Sequence, residues 1–346
     1  MSQPLYQKIV TDLKQQITDG KFALHAQLPT EKDLSEMYQV SRITSKRALT
    51  ELEQADLIYR VRGKGSFVKE PTRPTKLAKR ILFLLPFVND LSLGNFNDGL
   101  TPVMQEKKID VFMTSTDLLN NRSADELIQE FDGMIYYTNT DDQHIELLFE
   151  LYLKQFPVVL LDKKIHDFDF PAVLSDNLEG GRLATQALLE AGHTRIGYLF
   201  GETQPPQSTR QRYFGYLSCL KQHNVAFHTA LEDPQANIDN LLAYCQQQQL
   251  TAIVCENDLV AIHAMRELRA ANITIPQEIS VIGFDNIQAA ALVDPPLTTI
   301  SQDFKKIGQL ASETLITWIE TGEKPADIAI PVTLIQRAST QTNEKE

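Results

Sequence analysis

Arg42, Lys46 and Arg47 recur at helical spacing, and Arg62 and Lys64 then alternate with Gly63 and Gly65. Clustered cations of this kind neutralise phosphates and release counterions, while glycines let a backbone come close to a sugar-phosphate strand. Nothing comparable supports covalent chemistry. The seven histidines (His25, His144, His166, His193, His223, His228, His263) show no ligand spacing, and the patterns HExxH, GxSxG, GxxxxGK[ST] and CxxC are absent. Gly180-Gly181 and the glycines around Lys64 lack the strand-to-helix context of a dinucleotide fingerprint. The sequence therefore predicts no catalytic residue, no metal and no cofactor, and points to a binding protein.

The elements that carry the cations follow from local signals. Thr30 and Asp33 form a capping-box pair, so a helix is expected from there through Leu34 and Met37 to about Tyr38. Ser41 can cap the next helix. On that second helix Thr44, Ala48, Leu49, Leu52 and Ala55 fall on one side, and Arg42, Ile43, Lys46, Arg47 and Thr50 on the other. The first side packs and the second is free to enter a major groove. Alternation then takes over, with Leu57 to Val61 and Ser66 to Val68 reading as two strands around Arg62-Gly63-Lys64-Gly65, a wing.

Charge is partitioned along the chain. Residues 1–80 carry 15 basic against 9 acidic side chains, and residues 81–346 carry 18 against 36, within a total of −12. The acidity belongs to the second part, so the field at the amino end remains suited to nucleic acid. Val68 to Arg80 holds two prolines and five basic residues and reads as a tether, whose Arg73, Lys76, Lys79 and Arg80 could add weak phosphate contacts. No signal peptide or membrane-length apolar run is legible, and Cys219, Cys245 and Cys255 read as reduced thiols. A cytoplasmic protein, with no membrane partner, is expected.

From Ile81 onward short apolar strands alternate with helices. Strands are expected within Arg80–Phe87, Ile109–Ser115, Gly133–Tyr137, Pro157–Asp162, Arg195–Gly201, Thr251–Glu256 and Ser280–Asp285. Helices are expected at about Asp98–Lys107, Ala124–Phe131, His144–Lys154, Leu178–Ala191, Gln211–His223, Ile238–Gln248 and Leu259–Ala271. This pattern predicts parallel sheets in two lobes, with the strand C-terminal ends facing a cleft.

Residues 1–70 resemble the winged helix-turn-helix domain of GntR-family repressors. The motifs that carry the resemblance are LPTEKDL, VSRITSKRAL and RGKGSFV, against LPSERxLA, VSRxTVRxAL and xGxGTFV in the family. Ser45, Lys46 and Ser66 stand where Val, Arg and Thr are usual. The resemblance implies that Arg42, Thr44 and Lys46 meet bases or phosphates, that Glu31 lies near the start of the preceding helix, and that Gly63 rides in the minor groove. Ser41, Arg47, Arg62 and Lys64 are expected at DNA with them, and Tyr6 of the first helix completes the set.

SDNLEGGRLATQALLEAGHTRIGYLFG, RYFGYLSCL, TAIVCENDLVAIHAMRELRAANITIPQEISVIGFDN and DPPLTTISQDFKKIG resemble the effector domain of the LacI/GalR family. The implied fold is a periplasmic-binding-protein-like pair of Rossmann-like lobes joined by three crossing strands, with a small ligand in the hinge cleft. By motif position Asp162, Arg212, Asn257 and Asp285 stand where that family holds polar ligand contacts, with Asp176 and Gln302 next. Phe96, at the start of the first helix, is expected to stack on an apolar sugar face. Asn286 replaces the second aspartate of the family's GxDD.

The expected organisation is a DNA-binding domain at 1–69, a linker at 70–79 and an effector and dimerisation domain at 80–346. Lobe 1 takes about 80–175 and 303–325, and lobe 2 about 176–302 and 326–340. Together the resemblances imply a homodimeric repressor of carbohydrate-utilisation genes on a palindromic operator, nucleoid-associated while bound and released by a small sugar, with L-arabinose the leading candidate. The alternatives are a non-sugar effector such as a nucleobase, or regulation without ligand.

Overall fold

The computed structural model describes residues 5–18, 21–23, 25–54, 57–61, 64–69, 79–85, 95–137, 144–165, 167–201, 205–227 and 240–341. The chain divides into two compact units, Met1–Leu77 and Ala78–Glu346. Arg62, Gly63 and all but the last residue of the linker expected at 70–79 lie outside the described residues.

The first unit comprises α1 (Leu5–Thr18), α2 (Glu31–Met37), α3 (Arg42–Gln54), β1 (Ile58–Val61) and β2 (Gly65–Val68). The capping box forms as expected: the Asp33 amide donates to Thr30 Oγ1 at 3.3 Å and the Thr30 amide donates to Asp33 Oδ2 at 2.9 Å. Ile9, Leu13, Leu34, Leu49, Leu52 and Ile58 close one core between the three helices and the hairpin. The Tyr38 hydroxyl donates to Asp12 and ties α2 to α1. Antiparallel pairing runs from Ile58 opposite Val68 to Val61 opposite Gly65, which makes β1 and β2 the wing.

The second unit holds two sheets. The six-stranded sheet has the order β12-β7-β6-β5-β3-β4 and is parallel throughout, built from β3 (Arg80–Leu85), β4 (Asp110–Ser115), β5 (Gly133–Tyr137), β6 (Val158–Leu161), β7 (Ala172–Ser175) and β12 (Ile328–Ile330). The five-stranded sheet has the order β13-β11-β10-β9-β8, from β8 (Ile196–Leu199), β9 (Ala252–Cys255), β10 (Ser280–Asp285), β11 (Thr298–Ser301) and β13 (Thr333–Ile335), with β13 antiparallel to β11. Helices α4 (Asn97–Glu106), α5 (Ala124–Glu130), α6 (Ile145–Leu153) and α11 (Phe304–Thr321) accompany the first sheet. Helices α7 (Asn177–Glu190), α8 (Gln207–Gln222), α9 (Leu241–Gln248) and α10 (Asp258–Ala270) accompany the second.

The chain passes between sheets after β7, after β11 and after β12. The last passage corrects one boundary: residues 326–340 do not all fall in the second lobe, because Ile328–Ile330 pairs with Val173–Ser175 in the first sheet. Two helix pairs touch backbone to backbone. A Cβ on Gly181 of α7 would stand 1.8 Å from the Arg212 carbonyl of α8, and one on Gly215 of α8 would stand 2.0 Å from the Leu178 carbonyl. Gly99 of α4 and Gly308 of α11 meet the Lys305 and Phe96 carbonyls at 1.7 and 2.0 Å in the same sense. Of Gly180-Gly181, set aside above as a cofactor loop, Gly181 thus serves helix packing and Gly180 makes room for the Phe284 ring of β10.

Candidate nucleic-acid interface and ligand cleft

In the first unit the buried side of α3 presents Ser45, Ala48, Leu49 and Leu52, and its outer side exposes Arg42, Ile43, Lys46 and Arg47. Thr44 is half-buried and belongs to the helix start, its amide donating to Ser41 Oγ at 3.3 Å and its hydroxyl 2.9 Å from that of Ser41. Arg47 stacks over the Tyr6 ring, with its guanidinium carbon 3.9 Å from the centroid, so these two residues form one feature. Lys64 is exposed at the wing turn, where its carbonyl accepts from Gln27 Nε2 at 2.8 Å. Gly65 has φ of +118°, and a Cβ there would stand 2.7 Å from the same Gln27 nitrogen.

Arg60, which the motif comparison did not single out, joins the wing to the recognition helix. From β1 it donates to Thr50 Oγ1 at 3.1 Å and to the Lys46 carbonyl at 3.4 Å, with Glu53 at 3.1 Å and Glu31 at 4.0 Å from its nitrogens. Glu31 is half-buried at the start of α2, within 4.0 Å of this guanidinium. Its exposed neighbour Lys32 carries the cationic charge at this position. A groove of 430 Å³ between α2, α3 and the wing is lined by Thr30, Glu31, Lys32, Arg42, Arg60 and Ser66, among others.

In the second unit strand ends and helix starts meet at a buried arginine. Arg212 of α8 donates from Nε to Asn177 Oδ1 at 2.8 Å and from Nη1 to the Glu256 carbonyl at 2.7 Å. Its Nη2 is 3.6 Å from Asp285 Oδ1, and its guanidinium carbon is 3.7 Å from the Phe284 ring centroid. Gln302, just beyond β11, donates to Asp285 Oδ1 at 2.6 Å and accepts from the Ser175 hydroxyl at 2.5 Å. One amide therefore links β7 of the first sheet to β10 of the second. Asp162, at the end of β6, accepts from Ser208 of α8 at 3.4 Å, and Tyr137 at the end of β5 hydrogen-bonds it.

The electrostatics follow from burial. Desolvation pushes the Asp285 carboxyl up to about 8 although Arg212 opposes it, and Asp258 and Asp162 add to the rise. Asp258 is pushed to about 6, again by burial first, against hydrogen bonds from Thr299 and from the Ile287 and Asn286 amides. Tyr137 rises well above an ordinary phenol through burial, with Asp162 and Asp285 reinforcing it. Asp162 and Asp285 hold φ values of 67° and 114°, left-handed backbone at the two strand ends that face the cleft. Asn286 suits the next left-handed position, φ 58°, and its amide bridges Arg337 and Ser301 at 2.6 and 3.1 Å.

Other expected contacts take structural posts. Asp176 caps α7 through the Glu179 amide, and Asn257 caps α10 through the Val260 amide at 2.9 Å. Phe96 departs from expectation: it is 4 % exposed and wedged between Tyr137 and Phe304 at 5.8 and 5.1 Å, so its ring is core, with no open face for a sugar. Tyr137, Asn177, Ser175 and Ser208 were not expected. Ser208 lies one helical turn before Arg212 and becomes visible once α8 is started at Gln207, four residues earlier than its apolar spacing suggests. Beside Gln302 opens a recess of 770 Å³ lined by Asn95, Asp98, Asn286, Ser301 and Phe304, among others. Lys79 and Arg80, the described end of the tether, face Glu320 and Glu130 within the second unit.

Residues 5–68 match the model of bacterial regulatory proteins of the gntR family, and residues 185–340 match the periplasmic binding protein-like domain. The chain thus joins a gntR-type helix-turn-helix to a periplasmic-binding-protein-like α/β domain, the composition of a DNA-binding regulator. It is 28% identical over 358 residues, 98% of both chains, to the arabinose metabolism transcriptional repressor of Geobacillus stearothermophilus. It is 27% identical over 330 residues to the probable HTH-type transcriptional repressor ExuR of Bacillus subtilis, covering 86% of this chain and 94% of that one. Among solved structures, a LacI family regulator of Enterococcus faecium with bound ribose superposes with a TM-score of 0.63 at 26% identity, over 77% of this chain and 100% of that one. No described helix is long and apolar enough to cross a membrane.

Proposed function

We propose that this protein is a transcriptional repressor of sugar utilisation that holds operator DNA with α3 and the wing and is released by a small neutral sugar, L-arabinose first. The observation that carries the reading is convergence: Asp162 of one lobe and Arg212 and Asp285 of the other lie around one cleft, in a chain whose other unit exposes Arg42, Lys46 and Arg47 on a recognition helix. Directed carboxylates, an amide and a guanidinium suit hydroxyl groups, which both donate and accept. Repressors of arabinose metabolism and a ribose-bound LacI-family structure among its relatives support the same class.

The switch follows from Gln302. A ligand hydroxyl that takes Asp285 Oδ1 competes with the Gln302 amide, and Gln302 is also the partner of Ser175 in the other lobe. Occupancy is thereby felt where the chain passes between sheets. A coupling of about 1–3 kcal/mol suffices for a 5- to 150-fold loss of operator affinity. Two copies on a palindrome complete the arrangement, each supplying one recognition helix per half-site. The site needs no metal or cofactor, and its groups in these roles bind without reacting.

Calorimetry of the full chain with L-arabinose, D-ribose and purine bases, beside operator binding with and without each, tests the reading. Heat with L-arabinose and release of the duplex are expected. Binding of a base with no response to pentoses would transfer the site to the non-sugar class, and a chain that holds no duplex at any salt would end the repressor reading.

A further inference from the structure

Ile43 is 81 % exposed, more than any other large apolar side chain described in the first unit. It is the second residue of α3, flanked by Arg42, and shares its outer side with Lys46 and Arg47 one turn on. Folding gives no reason for it. The buried side of the helix is complete with Ala48, Leu49 and Leu52 at 2 % exposure or less, and a β-branched residue at a solvated helix position is a poorer helix former than lysine or alanine.

Resting on the DNA-binding reading, we propose that Ile43 reads the 5-methyl group of a thymine in the major groove, and so fixes one A·T pair in each operator half-site. The amino-terminal turn of a recognition helix is the part that reaches base edges. There the thymine methyl is the one apolar group on the groove floor, and apolar contact is how it is read. Arg42, Lys46 and Arg47, all exposed around Ile43, supply phosphate or guanine contacts and hold the helix in place. An aliphatic side chain ringed by cations loses its contact with water only when the helix is seated, so its contribution arises in the complex alone.

The test begins with the full chain selecting its duplex from a random library, after which each thymine of the selected site is replaced by deoxyuridine, which lacks only the methyl. One thymine per half-site is expected whose replacement weakens binding roughly three- to fivefold, the worth of one buried methyl. In Ile43→Ala, whose helix start is at least as stable, that replacement is expected to have no effect, whereas Lys46→Ala weakens binding and leaves the sensitivity intact. Selection of a site in which no thymine methyl matters, or a sensitivity that persists in Ile43→Ala, overturns the assignment while DNA binding stands. Failure to select any duplex overturns both.

Discussion

The guanidinium carbon of Arg212 lies 3.7 Å from the centre of the Phe284 ring, so the ring shields one face of the cation and its donors point within the guanidinium plane. Those donors hold Asn177 of α7 and the carbonyl of Glu256 after β9, with Asp285 alongside. The residue that faces the cleft is also the one that joins a helix start to two strand ends.

Replacing Arg212 with lysine keeps the charge and removes the fork. Buried acceptors on Asn177 and Glu256 lose their donor, at about 1–3 kcal/mol for each one left unmet. Arg212→Ala also removes the cation that opposes burial at Asp285, so that carboxyl holds its proton more firmly, and it empties the face of the Phe284 ring as well. Denaturant unfolding should rank wild type above lysine above alanine, and neither variant should show a sugar-induced rise in Tm. Equal stability of the three proteins would contradict this account.

Burial raises Asp258 to about 6 from an ordinary value of 3.8. Its protonated form is favoured by the folded state, so its contribution is full below about 4 and is lost as pH climbs through about 6. Asp285, raised to about 8, extends the same loss toward pH 8. In Asp258→Asn the fall in Tm between pH 4.5 and 7 should be shallower than in wild type, even if the variant is less stable throughout, because the Asn cannot accept all three hydrogen bonds that converge there. Parallel Tm profiles would show that this carboxyl does not titrate in that window.

Gly215→Ala sets a methyl 2.0 Å from the backbone carbonyl of Leu178, and backbone has nowhere to go. A loss of about 3 kcal/mol or more is expected. Gly322 provides the contrast: its φ is +74° with nothing within 4 Å of an added Cβ, so Gly322→Ala should cost only the left-handed backbone strain of about 1 kcal/mol. Thermal melts of both variants check the difference.

Lys46 and Arg60 are both cations of the first unit, and they should separate in a salt titration. Lys46 is exposed and has no ion pair at the helix surface among the described residues, so Lys46→Ala should lower the slope of log affinity against log salt by about 0.9. Arg60 is held between Glu53 and Glu31, so Arg60→Ala should loosen the wing and reduce affinity with little change of slope. An equal slope change in the two would place Arg60 at phosphate.

Much of this was legible in sequence because it rests on local rules. The Thr30–Asp33 box, the two-sided α3 and the strand runs ending at Asp162 and Asp285 each follow from spacing over a few residues. Ser45 was not, since a buried hydroxyl carries no apolar signature. Thr298 and Thr299 of β11 are equally buried and owe their place to Ser339 and Asp258, partners about 40 positions away. Helix α11 did have a visible pattern, Ile307, Ala311, Leu315 and Trp318; spacing alone leaves its partner sheet open, and its place in lobe 1 at 303–325 came from the family resemblance. Phe96 misled for a related reason: an aromatic at a helix start looks available until Tyr137 and Phe304 arrive from distant segments to enclose it.

The glycine contacts of α7 with α8 and of α4 with α11 leave those helices no clearance to slip past one another. Each pair therefore acts as a welded girder, a single stiff piece beside its own sheet. The chain changes sheet beside Gln302 and again at Pro331, so both crossings fall at strand ends and outside either rigid pair.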